Sequence, residues 1–497
     1  MKAPNKLMND RISQLPQPIL HYILRYLPQQ EAVRTCLLSK SWRYLGSTRP
    51  NFAMREIEFK GSKQEFVNVL ERCLQLYLDH KICPEEFEVS MSTSHAESFF
   101  NRHEENARFD PPSMIFEYKS LQRLTLRYCN LSRDDILHSD MSSLTHLKKL
   151  HLTDVCITDE VLEKIICSCP LIELKLDECV GLRAIRIDKR ARHLKLFDLS
   201  GSFNVKKSPS LEIDVPSLEK IKIKDCSNWH HDKMTYFPHL KSLSLSSVRL
   251  TTESFGFFSH NFPCLESVSL NDCYGFEELE LYSRSIKNFK LSSRRITMAF
   301  NRAAIDLPSI VMFMYEGPVP KSFSFTTTSE KWKSDITLWT DYLFDETSRE
   351  LGKLGQLLRA VSGSEVSLHI GKLNLAKNTV LSFTNKLFCI CRPSIIQRSV
   401  VVGPDSGFLF NQLRNQSTKE MCTMLGMEKG NFESGRITKG RQWRQDLEKV
   451  VFETFDENEK TWHPVVERSW SKFWEGLLLK DSKSVQHCMR FRLTWRE

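Results

Sequence analysis

The sequence predicts an α/β solenoid, a curved sheet of short parallel strands with helices or turns on its convex side, preceded by a small three-helix module. Three observations carry this reading. Between Leu121 and Tyr315 one pattern recurs nine times: an apolar residue, two variable ones, an apolar, one variable, an apolar. Behind four of these repeats a cysteine follows at one fixed distance. The first fifty residues instead place apolar side chains at helical spacing.

The repeats read LQRLTL, LKKLHL, LIELKL, LKLFDL, LEKIKI, LKSLSL, LESVSL, IKNFKL and IVMFMY. Their first residues are Leu121, Leu147, Leu171, Leu194, Leu218, Leu240, Leu265, Ile286 and Ile310, so the step is 21 to 26 residues. A step in the twenties with this internal pattern is the signature of leucine-rich repeats. Each repeat lays one strand on a concave sheet, and the stack offers an extended surface to another macromolecule with no preformed catalytic cleft. Eight residues after their anchors stand Cys129, Cys179, Cys226 and Cys273, with Cys156 one place off register. That position takes a small inward side chain, so these thiols are expected to be buried and structural.

Ahead of the repeats, Leu15-Pro16 opens a helix in which Ile19, Leu20, Ile23, Leu24 and Leu27 follow at helical spacing, and Pro28 ends it. A second helix is expected to carry Ala32, Val33, Cys36 and Leu37. Ser39 can cap a third, bearing Trp42 and Leu45. So small a piece cannot bury all these groups against itself, and some must meet the repeats or a partner.

The stretch from about Arg11 to Arg49, with LPQPILHYILRYLP followed by AVRTCLLSKSWRYL, resembles an F-box, and the chain is similar to the plant F-box/leucine-rich-repeat family. CSCPLIELKL, from Cys167 to Leu176, is similar to pieces of that family's repeats. Ser41 and Gly46 stand where the family usually has Arg and often Trp. The resemblance implies a substrate-recognition subunit of an SCF-type ubiquitin ligase. The box would dock a Skp-type adaptor, and through it a cullin, with Leu15, Pro16, Ile19, Leu20, Ile23 and Trp42 at the contact. The repeats would hold the protein to be ubiquitinated. The domains expected are the F-box (10–50), a connecting segment with one or two irregular repeats (51–118), the leucine-rich repeats (119–318), and degenerate repeats with a cap (319–497).

Other function classes find little support. Lys plus Arg number 70 against 61 Asp plus Glu, a mild surplus for this length and short of a dedicated nucleic-acid binder. The N-terminus has no secretory apolar core, and no run of about 18 apolar residues occurs, so a soluble protein of the cytoplasm or nucleus is expected, its cysteines as thiols. Cys167-Ser-Cys169, Cys389-Ile-Cys391 and His230-His231-Asp232 lack the second paired set that a zinc site needs. FDENEK from Phe455 lacks the spacing and central glycine of a calcium loop. Neither metal nor cofactor is expected. Cys488 could serve as a ubiquitin-carrying nucleophile, but it precedes a strand-like MRFRLTW, which favours a buried role. A repeat protein that binds partners without any ligase is the remaining alternative.

Residues two, four and six after each anchor should face outward, because side chains on a strand alternate. That row contains Arg123, Arg127, Lys149, Lys175, Lys220, Lys222, Lys224 and Lys290, against Glu173, Asp177, Asp198 and Glu316. Arg123, Arg127, Lys149, Lys220, Lys222 and Lys224 are the candidate target-binding residues, suited to an acidic or phosphorylated partner.

Overall fold

Strict alternation of apolar and polar residues in each repeat produces one short strand with one face in the core. In a computed structural model of the chain this holds from Asn51 onward. The structure describes residues 12–92 (except 13, 28, 36, 39–41, 43–44, 46–49 and 80–82), 108–201, 208–229 (except 228), 236–293 and 301–338. It further describes 343–344, 349–370 (except 364), 374–375, 390–399, 447–464 (except 457–458) and 488–496. The chain forms two compact units, residues 1–240 and 241–497.

In the first unit, helices α1 (Gln17–Arg25) and α2 (Gln29–Thr35) precede the repeats. Leu37 lies in the turn after α2 and not within it; Ser39, Ser41 and Gly46 fall outside the described residues. Then come β1 (Asn51–Arg55), helix α3 (Lys63–Asp79), β2 (Glu86–Ser90), β3 (Arg123–Arg127), β4 (Lys149–Thr153), helix α4 (Asp159–Ser168) and β5 (Glu173–Asp177). The unit closes with β6 (Ala184–Ile187), β7 (Leu196–Ser200), β8 (Ser210–Ile213) and β9 (Lys220–Lys224).

Strands β1, β2, β3, β4, β5, β7 and β9 pair in that order, all parallel and without register slip. One buried column therefore runs Phe52, Phe87, Leu124, Leu150, Leu174, Phe197, Ile221, and a second runs Met54, Val89, Leu126, Leu152, Leu176, Leu199, Ile223. Regular repeats thus begin at Asn51, well before the first one the leucine pattern marks.

The second unit continues with β10 (Ser242–Ser246), helix α5 (Thr252–Asn261), β11 (Ser267–Asn271), β12 (Glu278–Tyr282), β13 (Asn288–Ser292) and β14 (Arg302–Asp306). Next are β15 (Met312–Gly317), β16 (Ser322–Thr326), β17 (Lys333–Leu338), β18 (Leu343–Phe344) and helix α6 (Arg349–Ala360). The last strands are β19 (Glu365–Ile370), β20 (Asn374–Leu375), β21 (Ile395–Ser399), β22 (Leu447–Asp456), β23 (Thr461–Pro464) and β24 (Cys488–Trp495). Strands β10, β11, β13, β15, β17, β19 and β21 pair in parallel, so the repeat geometry runs past Gly317. At β21 the pairing turns antiparallel, through β24 and β22 to β23. FDENEK stands at the β22–β23 connection.

The return paths differ from the expectation of helices or turns. Strands β6 and β8 pair with each other, and β12, β14 and β16 form a second parallel sheet. The reason is period two: Ile185 and Ile187, Leu211 and Ile213, Leu279 and Leu281, Ala303 and Ile305 are buried at alternate positions. A helical return instead needs a cap and a 3.6-residue stripe. Helix α4 has both, with the Thr158 hydroxyl accepting from the Val161 N–H (3.4 Å) and Val161, Leu162, Ile165 and Ile166 buried.

Six of the nine anchored strands end on a left-handed residue seven positions after the anchor: Tyr128, Asp154, Glu178, Asp225, Ser247 and Asp272, with φ from 50° to 58°. In five of them, Asp225 apart, the N–H bonds the next repeat, as Tyr128 to the Thr153 carbonyl (3.0 Å), Glu178 to that of Ser200 (2.7 Å) and Asp272 to that of Ser292 (2.7 Å). The bend then drives the following side chain inward. That is where Cys129, Cys179, Cys226 and Cys273 sit, at most 7% exposed, with Cys156 at 2% one place on. Two residues further, Gly181 and Gly275 have φ of 92° and 94°, and a Cβ there would stand 2.7 and 2.8 Å from the carbonyls of Ile157 and Leu250.

Burial pushes the thiols of Cys179 and Cys273 up to about 12, with Cys129 displaced in the same direction. These cysteines should resist alkylation in the native protein, while exposed Cys83, Cys167 and Cys264 label quickly. Site-resolved mass spectrometry with and without denaturant checks this, and rapid native labelling of the four repeat cysteines would overturn the register.

Candidate functional site

Helix α1 carries apolar residues on two sides. Leu20 and Leu24 turn inward and form a small core with Ala32, Trp42 and Leu45, with Leu27 half-buried beside it. The other side is left outside: Ile19 (47% exposed) and Tyr22 (59%) on the helix, Tyr26 (70%) at its C-cap, and Leu15 (37%) just ahead of it. The two tyrosine rings meet edge to face at 5.1 Å, with their hydroxyls 2.9 Å apart. Past the end of α2, Leu37 and Leu38 are 84% and 68% exposed. Six large apolar side chains on so small a module form a surface that a partner can cover.

Of the six residues expected at the adaptor contact, Leu15, Pro16 and Ile19 are exposed and Ile23 is half-buried. Leu20 and Trp42, at 3% and 4% exposure, are closed into the module's own core. Five apolar residues over nine positions fill two helix faces, and the packing of Ala32, Trp42 and Leu45 against one of them decides which turns inward. Tyr22, Tyr26 and Leu38 were missed, although the i, i+4, i+7 spacing through Leu15, Ile19 and Tyr22 is visible in the sequence.

The module is tied to the first repeats. Arg25, in the last turn of α1, pairs with Glu85 (3.4 Å) and Glu86 (3.2 Å), and the Asn51 side-chain amide donates to the Arg25 carbonyl (3.3 Å). Glu86 also takes Arg123 (3.3 Å), and Glu88 takes Arg55 in a two-pronged bond of 2.5 and 2.8 Å. Two of the outward residues of β2 are thus carboxylates.

This changes the expected basic row into one of alternating sign. Glu86 and Glu88 were overlooked because the leucine pattern becomes visible only at Leu121. Further along, Glu173 gathers Lys149 (3.4 Å), His151 (3.1 Å) and Lys175 around one carboxylate. Asp198 takes Lys222 at 3.2 Å, while Asp225 lies 3.8 Å from Lys224. Among the described residues Arg127 and Lys220 make no ion pair.

Burial alone would raise the Glu173 carboxyl, but the bond and charge of Lys175, with His151 and Lys149, outweigh it and hold the group down at about 2. Burial, and then the charge of Lys175, lower His151 despite Glu173. Both folded-state values lie below the ordinary ones. Glu173 therefore contributes stability that is complete above its ordinary 4.5 and lost as pH falls toward 2, and the His151 contribution is lost below 6.5. Glu173→Gln should flatten the fall in urea stability between pH 4.5 and 2; an unchanged slope would mean that the cluster contributes nothing.

Among the described residues no group of three His, Cys, Asp or Glu is placed to hold a metal ion. His230, His231, Asp232 and Cys389 fall outside the described residues. Cys169 and Cys391 are buried, with thiols raised to about 12. Cys488 is the first residue of β24, opposite Ser399. No described helix is long and apolar enough to cross a membrane.

Comparison with known families accounts for both parts of this arrangement. The F-box domain model matches residues 12–53, and the leucine-rich-repeat domain model of the At1g61320/AtMIF1 type matches residues 51–349, well over half the chain. The chain belongs to the F-box/leucine-rich-repeat family. The putative F-box/LRR-repeat protein At5g02930 of Arabidopsis thaliana is 28% identical over 257 residues, covering 49% of this chain and 52% of the relative. F-box/LRR-repeat protein 25 of the same plant is 28% identical over 234 residues, covering 44% and 86%. The putative F-box/LRR-repeat protein At3g18150 is 25% identical over 233 residues, covering 44% and 48%. The chain thus spans about half the length of the first of the curated relatives it matches. In this F-box/leucine-rich-repeat chain, the module with the exposed stripe is the F-box.

Proposed function

We propose that the chain is the substrate-recognition subunit of an SCF-type ubiquitin ligase, with its F-box docking a Skp-type adaptor and its repeats holding the target. The observation that carries this reading is the exposed apolar surface of Leu15, Ile19, Tyr22, Tyr26, Leu37 and Leu38 on a module whose core is already closed without them. Family membership supports it. Such a subunit needs no chemistry of its own. It raises the effective concentration of target lysines near a ubiquitin-charged conjugating enzyme. The ion pairs from Arg25 to Glu85 and Glu86 would keep adaptor and target in a fixed relation during transfer.

The test is capture of a purified Skp-type adaptor by the full chain. Binding at or below about 1 μM is expected, roughly 8 kcal/mol. Absence of capture at about 100 μM would leave a repeat protein that binds partners outside any ligase.

A further inference from the structure

We infer that β9 is where the repeats take an acidic, extended segment of the target, with anionic groups at alternate positions. This deepens the receptor reading and rests on it. Ile221 and Ile223 are fully buried, which fixes the strand and projects Lys220, Lys222 and Lys224 to the same outer side, all three exposed. Like charges at such close positions repel, and nothing in the packing of β9 requires them.

The rest of the row sharpens the contrast. On β1 to β5, most cations face carboxylates of the same or a neighbouring strand, Arg55 with Glu88, Arg123 with Glu86, Lys149 and Lys175 with Glu173, and Arg127 at the end of β3 is the exception among the described residues. Those charges are spent on the sheet itself. Within residues 1–240, β9 faces only β7, whose outward residues are Leu196, Asp198 and Ser200. Asp198 holds Lys222 alone, and Asp225 stands too far from Lys224 for a hydrogen bond. The two outer lysines of the strand thus keep most of their capacity for a partner, and the middle one is shared.

Spacing names the partner's form. Alternate residues of a strand lie about 6.6 Å apart, so the three ammonium groups are set out over about 13 Å. An extended polypeptide laid along the strand has the same period. Asp, Glu or phosphoserine at every second position would meet all three, the middle anion competing with Asp198. A helical acidic segment carrying anions at alternate positions would not match, because those positions point to different sides of the helix; it would need its anions four residues apart, about 6 Å along the axis.

The full chain can be titrated with short labelled peptides of Gly and Ser carrying Asp at alternate positions. Phosphoserine and Asn versions, and a single-stranded oligonucleotide, complete the set. The Asp and phosphoserine peptides should bind about tenfold or more tightly than the Asn peptide, and lose affinity between about 50 and about 300 mM salt. The ratio of the two distinguishes carboxylate from phosphate as the preferred group. Replacing all three lysines by Glu should abolish the preference while circular dichroism and the thermal melt, which report that the repeats are folded, stay unchanged. Equal binding of the Asn peptide, no acidic-peptide binding at about 1 mM, an unaffected triple variant, or tighter binding of the oligonucleotide would each overturn the inference. Adaptor capture is read separately, so its failure overturns the receptor reading and not the acidic-segment site.

Discussion

Leu37→Asp combined with Leu38→Asp is expected to abolish capture of a Skp-type adaptor while the F-box stays folded. Both side chains lie outside the core formed by Leu20, Leu24, Ala32, Trp42 and Leu45, and both are largely exposed. Surface substitutions of this kind change stability by about 0.5 kcal/mol or less. At an apolar interface each residue of a hot spot contributes about 2 kcal/mol or more, and an introduced carboxylate must also be desolvated. The pair should therefore reduce affinity by well over about a hundredfold.

Leu15→Ala with Pro16→Ala, at the other end of the exposed surface, should weaken capture by about thirtyfold or more through lost contact. Trp42→Ala should reduce capture by a different route, because it opens the core that holds the helices, and thermal unfolding of the box then shifts with it. Calorimetry of adaptor binding alongside thermal melts separates contact from positioning. Unchanged capture by both surface variants would mean that the adaptor does not bind on this face.

What could be read in the sequence follows from what has a period. The nine repeats from Leu121 were legible because buried strand residues recur at fixed offsets, and the two apolar columns of the sheet follow directly from them. The cysteine positions were legible for the same reason. The left-handed residue seven positions after six of the anchors was not, since Tyr128, Asp154, Glu178, Asp225, Ser247 and Asp272 share neither glycine nor any single residue type. There the backbone bonds between repeats, and not the side chain, set the conformation.

The box shows a different limit. Its helices and apolar content were legible, but the closing of Leu20 and Trp42 into the module's own core was not, because inside and outside depend on how separate helices meet. The charged row shows a third. Arg123 and Lys149 were correctly placed on the outer side, yet their availability depended on Glu86 and Glu173 on adjacent strands, which pairing register brings alongside. Sign along a strand is a sequence property; neutralisation across strands is a property of register.

Phe313→Ala is expected to cost the second unit about 3 to 5 kcal/mol. The sequence places Phe313 in the inward position of IVMFMY, but not what it meets. In the structure its ring lies 5.9 Å from Phe289, 4.8 Å from Phe325, 6.2 Å from Phe323 and 6.4 Å from Trp332. Phe289 belongs to the preceding main strand, whereas Phe323 and Phe325 come from β16 of the second sheet. Phe313 therefore joins the two sheets, and its removal would leave a cavity walled by rigid rings and fixed strands, which can relax only partly. Because repeats contact mainly their neighbours, the loss should be local. Hydrogen exchange should accelerate in β13, β15, β16 and β17 and remain slow in β3 to β5. Val311→Ala, at a position 52% exposed in the same repeat, serves as the control and should change stability by about 0.5 kcal/mol or less. A loss below about 1 kcal/mol for Phe313→Ala would show that the rings do not close around it.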